Sequence, residues 1–354
     1  MEILIIGAGN GGLAFGGMLI ERGFKVNLFD NQESVVQPIK KNNKKITIIS
    51  NGVSKQVKFN LATNNLQRGI NNVDYIFIVV PAYAHRSVAI DLSKVIKENQ
   101  VVVLHPGRTG GAMEFKKIFN SVGKKNIIAE AETMLFAARK NSSTEIVIHG
   151  IKKSVGIASL PKHASQEISN KLNKLLPHFH NSIDVISTSL SNIGAVFHPI
   201  PFLFNLTRID NKESFKYYHE GISPSIANLL ESLDKERLSI AQAFGLQIPS
   251  AREWVNFNYG VAGKTLYESI QMNNIYKDIL APTEINSRYI MEDIPMGLVP
   301  MKELAQIIDL ETPIINSIIN LASKLYNFDF IKNGRRIEHM EIEPMFPALP
   351  NINK

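Results

Sequence analysis

Residues 2–30, EILIIGAGNGGLAFGGMLIERGFKVNLFD, constrain the fold more than any other stretch of the chain. The unbroken apolar run at residues 3–6 predicts a strand buried on both faces. Gly7, Gly9 and Gly12 follow it as G-x-G-x-x-G, and a helical stretch then runs to Arg22, with Gly23 as its stop and a second strand over residues 25–29. The order of parts, strand, glycine turn, helix, strand, carries more than any one glycine.

Each glycine in that order has a physical task. The first permits a tight turn, the second lets backbone N–H groups approach a pyrophosphate, and the third lets helix pack on strand. The helix N-terminus adds partial positive charge for the phosphates. Asp30 closes the second strand 21 residues after Gly9, where its carboxylate would accept from ribose hydroxyls and repel a 2′-phosphate. NAD is therefore the expected cofactor, with NADP admitted because Lys40 and Lys41 lie in a following segment able to fold back. Gly7, Gly9, Asn10, Gly12 and Asp30 are the expected cofactor contacts.

Further strand-like runs at residues 73–81, 100–107, 126–133 and 153–161 mostly alternate with helical stretches, which predicts a mostly parallel, doubly wound Rossmann-type sheet. Ligands of such sheets sit beyond the carboxyl ends of the strands. The segments PAYAH and HPGRTGG leave strands at that edge, so Pro81, Ala82, His105, Gly107, Arg108 and Thr109 are candidate neighbours of a nicotinamide. Pro81, Ala82 and Gly107 are expected on the cofactor, and Arg108 and Thr133 on the substrate. The plainer reading is that these are turn residues.

A length of 354 residues exceeds what one core usually holds, so two domains are expected, residues 1–186 and 187–354. The second reads as helical. In SPSIANLLESLDKERLSIAQAFG, Ser223 suits a cap, Pro224 the first helical position, and Gly245 the stop, with Ile226, Leu229, Leu230 and Leu233 on one face. A homodimer through this domain is compatible with the pattern, although no single apolar stripe demands one.

Composition narrows the chemistry. Hydrophobic residues at 44% and charged ones at 20% describe a globular chain, and no apolar run approaches the roughly 20 residues of a membrane span. The N-terminus lacks the marks of a secretory signal, so the cytoplasm is expected. There is no cysteine, which excludes disulfides, cysteine-ligated zinc and thiol catalysis; no metal site is expected. The net charge of +7 is spread over pairs such as Lys40-Lys41 and Lys124-Lys125, unlike the clustered face of a nucleic-acid binder. A modest positive field instead steers small acids.

Two segments could do chemistry against a nicotinamide. His198 sits in NIGAVFHPIPFLFN, an apolar setting in which an imidazole needs a partner; a core histidine satisfied by backbone is the plain alternative. In RYIMEDIPMGLVP, Arg288 and Glu292 are four apart and suit a surface pair, whereas Asp293 on an ideal helix would point about 140° away from Arg288. Pro295 is expected to end the helix near Asp293. Such an end could present a guanidinium fork for a carboxylate and a carboxylate able to orient a histidine.

GAGNGG, HPGRTGG, FHPIP, EGISPSIANLLESLDKERLSIAQAFG and RYIMEDIPMGLVPMKELA together resemble the octopine/opine dehydrogenases across nearly the whole chain. The resemblance implies a Rossmann domain joined to an all-α domain of the 6-phosphogluconate dehydrogenase C-terminal type. It further implies NAD(P)H-dependent reductive condensation of an α-keto acid with an amino acid's amine, a catalytic pair of His198 and Asp293, and an Arg288 that grips a substrate carboxylate. Two rivals stand beside it: a hydroxy-acid dehydrogenase of the ketopantoate reductase kind, and a nicotinamide-binding regulatory module without turnover.

Overall fold

Alternation of buried strand and covering helix builds the first part of the chain. The computed structural model describes residues 1–342, and the chain divides into two units, Met1–Thr188 and a second that begins at Ser189. The strands are β1 (Glu2–Ile6), β2 (Lys25–Phe29), β3 (Lys45–Ser50), β4 (Val53–Lys58), β5 (Leu61–Thr63), β6 (Tyr75–Ile78), β7 (Val101–Leu104), β8 (Ile128–Ala131), β9 (Phe136–Ser142), β10 (Glu145–Ile151), β11 (Val155–Leu160) and β12 (Phe179–Asn181).

Eight of them form one sheet in the order β12-β11-β8-β7-β6-β1-β2-β5. From β5 across to β8 every pairing is parallel; β11 runs antiparallel to β8. β1 lies at the interior of this sheet, and Ile3, Leu4, Ile5 and Ile6 are all buried, each contributing about 1.5–3 kcal/mol of apolar burial. The doubly wound α/β expectation is met.

The remaining four strands form a second sheet, β4-β3-β10-β9, that the sequence reading did not anticipate. The helix Asn10–Glu21 packs against it. A Cβ on Gly17 would lie 2.1 Å from Ile48 Cδ1, and one on Gly16 2.7 Å from Phe59 Cε1, so both glycines are set by this close approach.

The second unit is mostly helical, as expected. Its longest helix, Pro224–Ala243, starts where Ser223 caps the Ile226 N–H. The face it buries is not purely apolar: Asp234 and Arg237 are buried beside Ala227, Leu230 and Leu233. Arg237 Nε donates to Asp234 Oδ1 at 2.8 Å, and its other nitrogens donate to Leu190 O at 2.7 Å and Pro249 O at 2.8 Å. Asp234 Oδ2 accepts the Ala251 N–H at 2.7 Å. This satisfied ion pair ties the long helix to two neighbouring segments.

Candidate active site

The glycine turn has the form its spacing predicts. Gly7 adopts φ +107°, which L-residues avoid, and a Cβ on Gly12 would stand 1.8 Å from Gly7 O. At Gly9, by contrast, an added Cβ meets nothing within 4 Å, so this side of the turn opens to a ligand. Asp30 Oδ2 accepts the Ala8 N–H at 2.9 Å and Oδ1 the Gln32 N–H at 3.0 Å; a carboxylate retains further lone pairs for ribose hydroxyls. Lys40 does not fold back toward Asp30, because Glu33 holds its ammonium at 3.1 Å. A dinucleotide with an unmodified ribose fits these residues.

One cation at this turn escaped the sequence reading. Lys140, on β9, donates its ammonium to Ala8 O at 3.0 Å and its backbone N–H to Asn10 Oδ1 at 3.1 Å. The second sheet thus brings a positive charge to the phosphate-binding loop.

The candidates beyond β6, β7 and β8 divide. Pro81 caps the short turn Ala82–Ala84 just past β6. Gly107 is a glycine for a packing reason: a Cβ there would meet Glu130 Oε2 at 2.2 Å. Glu130 itself is buried, taking the Ala112 N–H at 2.8 Å and the Thr188 hydroxyl at 2.6 Å. Arg108 is held at φ +58°, an unusual backbone for a side chain of its kind. Thr133 Oγ1 accepts from the Lys152 ammonium at 2.8 Å.

His105 and Thr109 belong to the core instead. His105 is fully buried and stacks on Phe15 with ring centroids 4.7 Å apart. Burial, reinforced by the Lys152 charge, pulls its imidazole down to about 3. It is a neutral packing residue, turned inward beside the aromatic cluster.

In the second unit His198 lies between the helices Ile193–Phe197 and Pro199–Phe204, with Pro199 opening the latter. Its Nδ1 is 2.7 Å from Asp293 Oδ2, with the side chains 18% and 2% exposed. An ionised carboxylate only accepts, so the ring proton sits on Nδ1 and Nε2 presents its lone pair. The Tyr218 hydroxyl is 3.3 Å from Nε2. Burial raises that phenol well above its usual range, so it remains a donor. Tyr217 anchors the backbone by donating to His198 O at 2.6 Å, and Tyr289 stacks on the imidazole at 4.0 Å between centroids.

The α-helix ends near Asp293 as expected, at Met291 with Glu292 as its cap, but the chain then takes up a wider turn. The helix Arg288–Met291 passes through Glu292 and Asp293 into a π-helical turn, Ile294–Leu298, and then into the helix Val299–Ile307. Five-residue bonds mark the change: the Asp293 N–H reaches Arg288 O at 3.3 Å and the Leu298 N–H reaches Asp293 O at 3.0 Å. The wider turn accommodates Pro295 between two α-helices, and such π-turns recur at functional sites. Gly297 then permits close approach, since a Cβ there would lie 2.7 Å from Ala195 Cβ. That contact joins the π-turn to the helix leading into His198.

Arg288 and Glu292 are more than a surface pair. Glu292 is 2% exposed and Arg288 59%. Arg288 Nε donates to Glu292 Oε2 at 2.6 Å, and a second guanidinium nitrogen contacts the same oxygen. A buried carboxylate thus aims an exposed fork.

Comparison with known proteins settles the family. Residues 182–326 match the NAD/NADP octopine/nopaline dehydrogenase alpha-helical domain, and residues 2–135 the NAD-dependent glycerol-3-phosphate dehydrogenase N-terminus. The opine dehydrogenase of Arthrobacter sp. (strain 1C) is 36% identical, covering 97% of this chain and 96% of that protein. The chain belongs to the opine dehydrogenase family. It is an NAD(P)-dependent oxidoreductase of the kind that acts on CH–NH bonds.

Solved structures share this fold. An octopine dehydrogenase solved with NADH and L-arginine superposes with a TM-score of 0.85 at 19% identity, covering 99% of this chain and 98% of that one. Yersinopine dehydrogenase with NADP+ gives 0.79 at 14% identity, covering 98% and 95%. Among the described residues no helix is long and apolar enough to cross a membrane, and no cluster of side chains suits a metal ion.

Proposed function

We propose that this opine dehydrogenase joins an α-keto acid to the amino group of an amino acid through His198, Asp293 and Arg288. When bound, the reduced nicotinamide supplies the hydride that the imine carbon receives. Asp293 holds His198 in the tautomer whose Nε2 carries the lone pair, so Nε2 can take a proton from the substrate ammonium, freeing the amine to attack, and return one to the departing hydroxyl or the nitrogen. Arg288, aimed by Glu292, grips a carboxylate by bidentate pairing and so fixes the reacting carbon. Lys140 and the Gly9 face of the turn receive the pyrophosphate, and Asp30 the ribose. The cytoplasm is the compartment this reading favours.

The observation that carries the proposal is the 2.7 Å contact between His198 Nδ1 and Asp293 Oδ2, made with Arg288 opening the helix that leads to Asp293. The test is a matrix of keto acids and amino acids with NADH, followed by cofactor absorbance. NADH oxidation that requires both reactants supports it. Oxidation by a keto acid alone would favour a hydroxy-acid dehydrogenase, and binding without oxidation a regulatory module.

A further inference from the structure

The lone pair on which the proposed chemistry depends is already occupied. With the Nδ1 proton directed at Asp293, the His198 ring keeps one in-plane lone pair, on Nε2, and the Tyr218 hydroxyl donates into it at 3.3 Å. A substrate ammonium cannot use the same lone pair while the phenol holds it. Either the proton passes through Tyr218, or Tyr218 must leave.

The packing opposes departure. The Tyr218 ring lies flat on Tyr276, with centroids 4.1 Å and planes 13° apart, and meets Tyr217 edge-on at 5.2 Å. The Tyr217 N–H donates to Ile279 O at 2.8 Å and the Ala281 N–H to Phe215 O at 2.9 Å, which ties the segment carrying Tyr218 to the one carrying Tyr276. Tyr218 is 6% exposed, so a hydroxyl turned away from Nε2 would need a new partner in the interior. The neighbouring phenols are committed elsewhere, Tyr217 to His198 O at 2.6 Å and Tyr276 to Tyr259. Burial, with Asp293 adding to it, raises the Tyr218 phenol well above its usual range, so it rests as a donor rather than as phenolate.

Resting on the dehydrogenase reading above, we infer that Tyr218 is a proton relay, standing between His198 Nε2 and the reacting nitrogen and oxygen of the substrates. In the first step the phenol gives its proton to Nε2 as its oxygen takes one from the substrate ammonium. The N–H electron pair stays on nitrogen and leaves a free amine, the phenol is neutral before and after, and the Asp293 carboxylate balances the new imidazolium. Once the amine has added to the keto carbon, the relay runs backwards. Nε2 returns its proton to the phenol oxygen, the phenol passes its own to the departing hydroxyl, and water leaves with the C–O electrons while the nitrogen lone pair closes the C=N bond. Two protons move together in each step.

Tyr218→Phe keeps the ring on Tyr276 and removes only the hydroxyl. The measurement is the single-turnover rate of NADH oxidation in mixtures of light and heavy water, with the fastest pair from the keto-acid and amino-acid matrix. Two protons in flight make the rate a curved function of the deuterium fraction, whereas one makes it linear. The wild type should give a curve. Tyr218→Phe should give a line, with kcat about 10- to 100-fold lower and both the amine KM and NADH affinity within about twofold of wild type. Tyr276→Phe removes a phenol of the same cluster but outside the relay, and should keep the curve, which a merely structural role for these hydroxyls would not predict. A linear wild-type response, or a curve that persists in folded Tyr218→Phe, overturns the relay. So does a lower amine KM at wild-type kcat in Tyr218→Phe, the result expected if substrate displaces the phenol. Absence of NADH oxidation by the wild type with every pair would instead overturn the dehydrogenase reading, and the relay with it.

Discussion

Replacing Asp293 with asparagine isolates the acid–base pair. The amide preserves the volume of a side chain that is 2% exposed, so packing should survive while the charge goes. The contact with His198 Nδ1 at 2.7 Å is charge-assisted, and bonds of that type contribute about 1.5–3 kcal/mol. At about 1.4 kcal/mol per tenfold, its loss alone slows the chemical step roughly 10- to 150-fold. A further loss comes from the tautomer. Where the amide NH₂ faces the ring, Nδ1 must accept, the ring proton moves to Nε2, and the lone pair points the wrong way. Together these predict a fall in kcat of roughly 10²- to 10⁴-fold. NADH affinity, read by fluorescence titration, should stay within about twofold because the cofactor residues are untouched. Steady-state NADH oxidation with saturating keto acid and amino acid measures kcat. A folded Asp293→Asn enzyme within about threefold of wild-type kcat would refute the pair as the catalytic engine.

Four other substitutions test the remaining parts. Gly9→Ala should leave the melting temperature of the cofactor-free protein unchanged, since its Cβ meets nothing within 4 Å, yet weaken NADH binding at least about tenfold by blocking the pyrophosphate; Gly12→Ala, with its Cβ 1.8 Å from Gly7 O, should lower both, and calorimetry with fluorescence titration separates the two. Arg288→Lys removes the planar fork above Glu292 and should raise the KM of one carboxylate substrate about 10- to 100-fold with the KM for NADH unchanged. Arg237→Met leaves Asp234 buried and unpaired and should cost about 3–5 kcal/mol in denaturant unfolding of the full chain.

Local pattern sufficed for the glycine turn, because strand, turn, helix and strand are contiguous and each glycine answers to its own neighbours. The helical character of the second unit was equally legible from spacing and caps. Asp293 was readable as a candidate, but its setting was not: the π-turn Ile294–Leu298 that follows it involves Pro295, Gly297 and the close approach of Ala195, none of which an ideal-helix calculation contains. Lys140 and Lys152 stayed hidden because they reach their positions through β9 and β10, whose place is set by pairing β10 with β3, about a hundred residues earlier. Asp234 and Arg237 break the apolar stripe of the long helix because they satisfy each other and three backbone groups, which no periodicity records.

The small sheet also decides where this protein can be cut. The region shared with glycerol-3-phosphate dehydrogenases ends at residue 135, one residue before β9 begins. A fragment stopped there would strip β3 of its parallel neighbour, remove two strands from the large sheet's far margin, and discard both lysines that border the ligand edge. A cofactor-binding fragment intended for expression or grafting therefore needs to run to residue 188, where both sheets are whole.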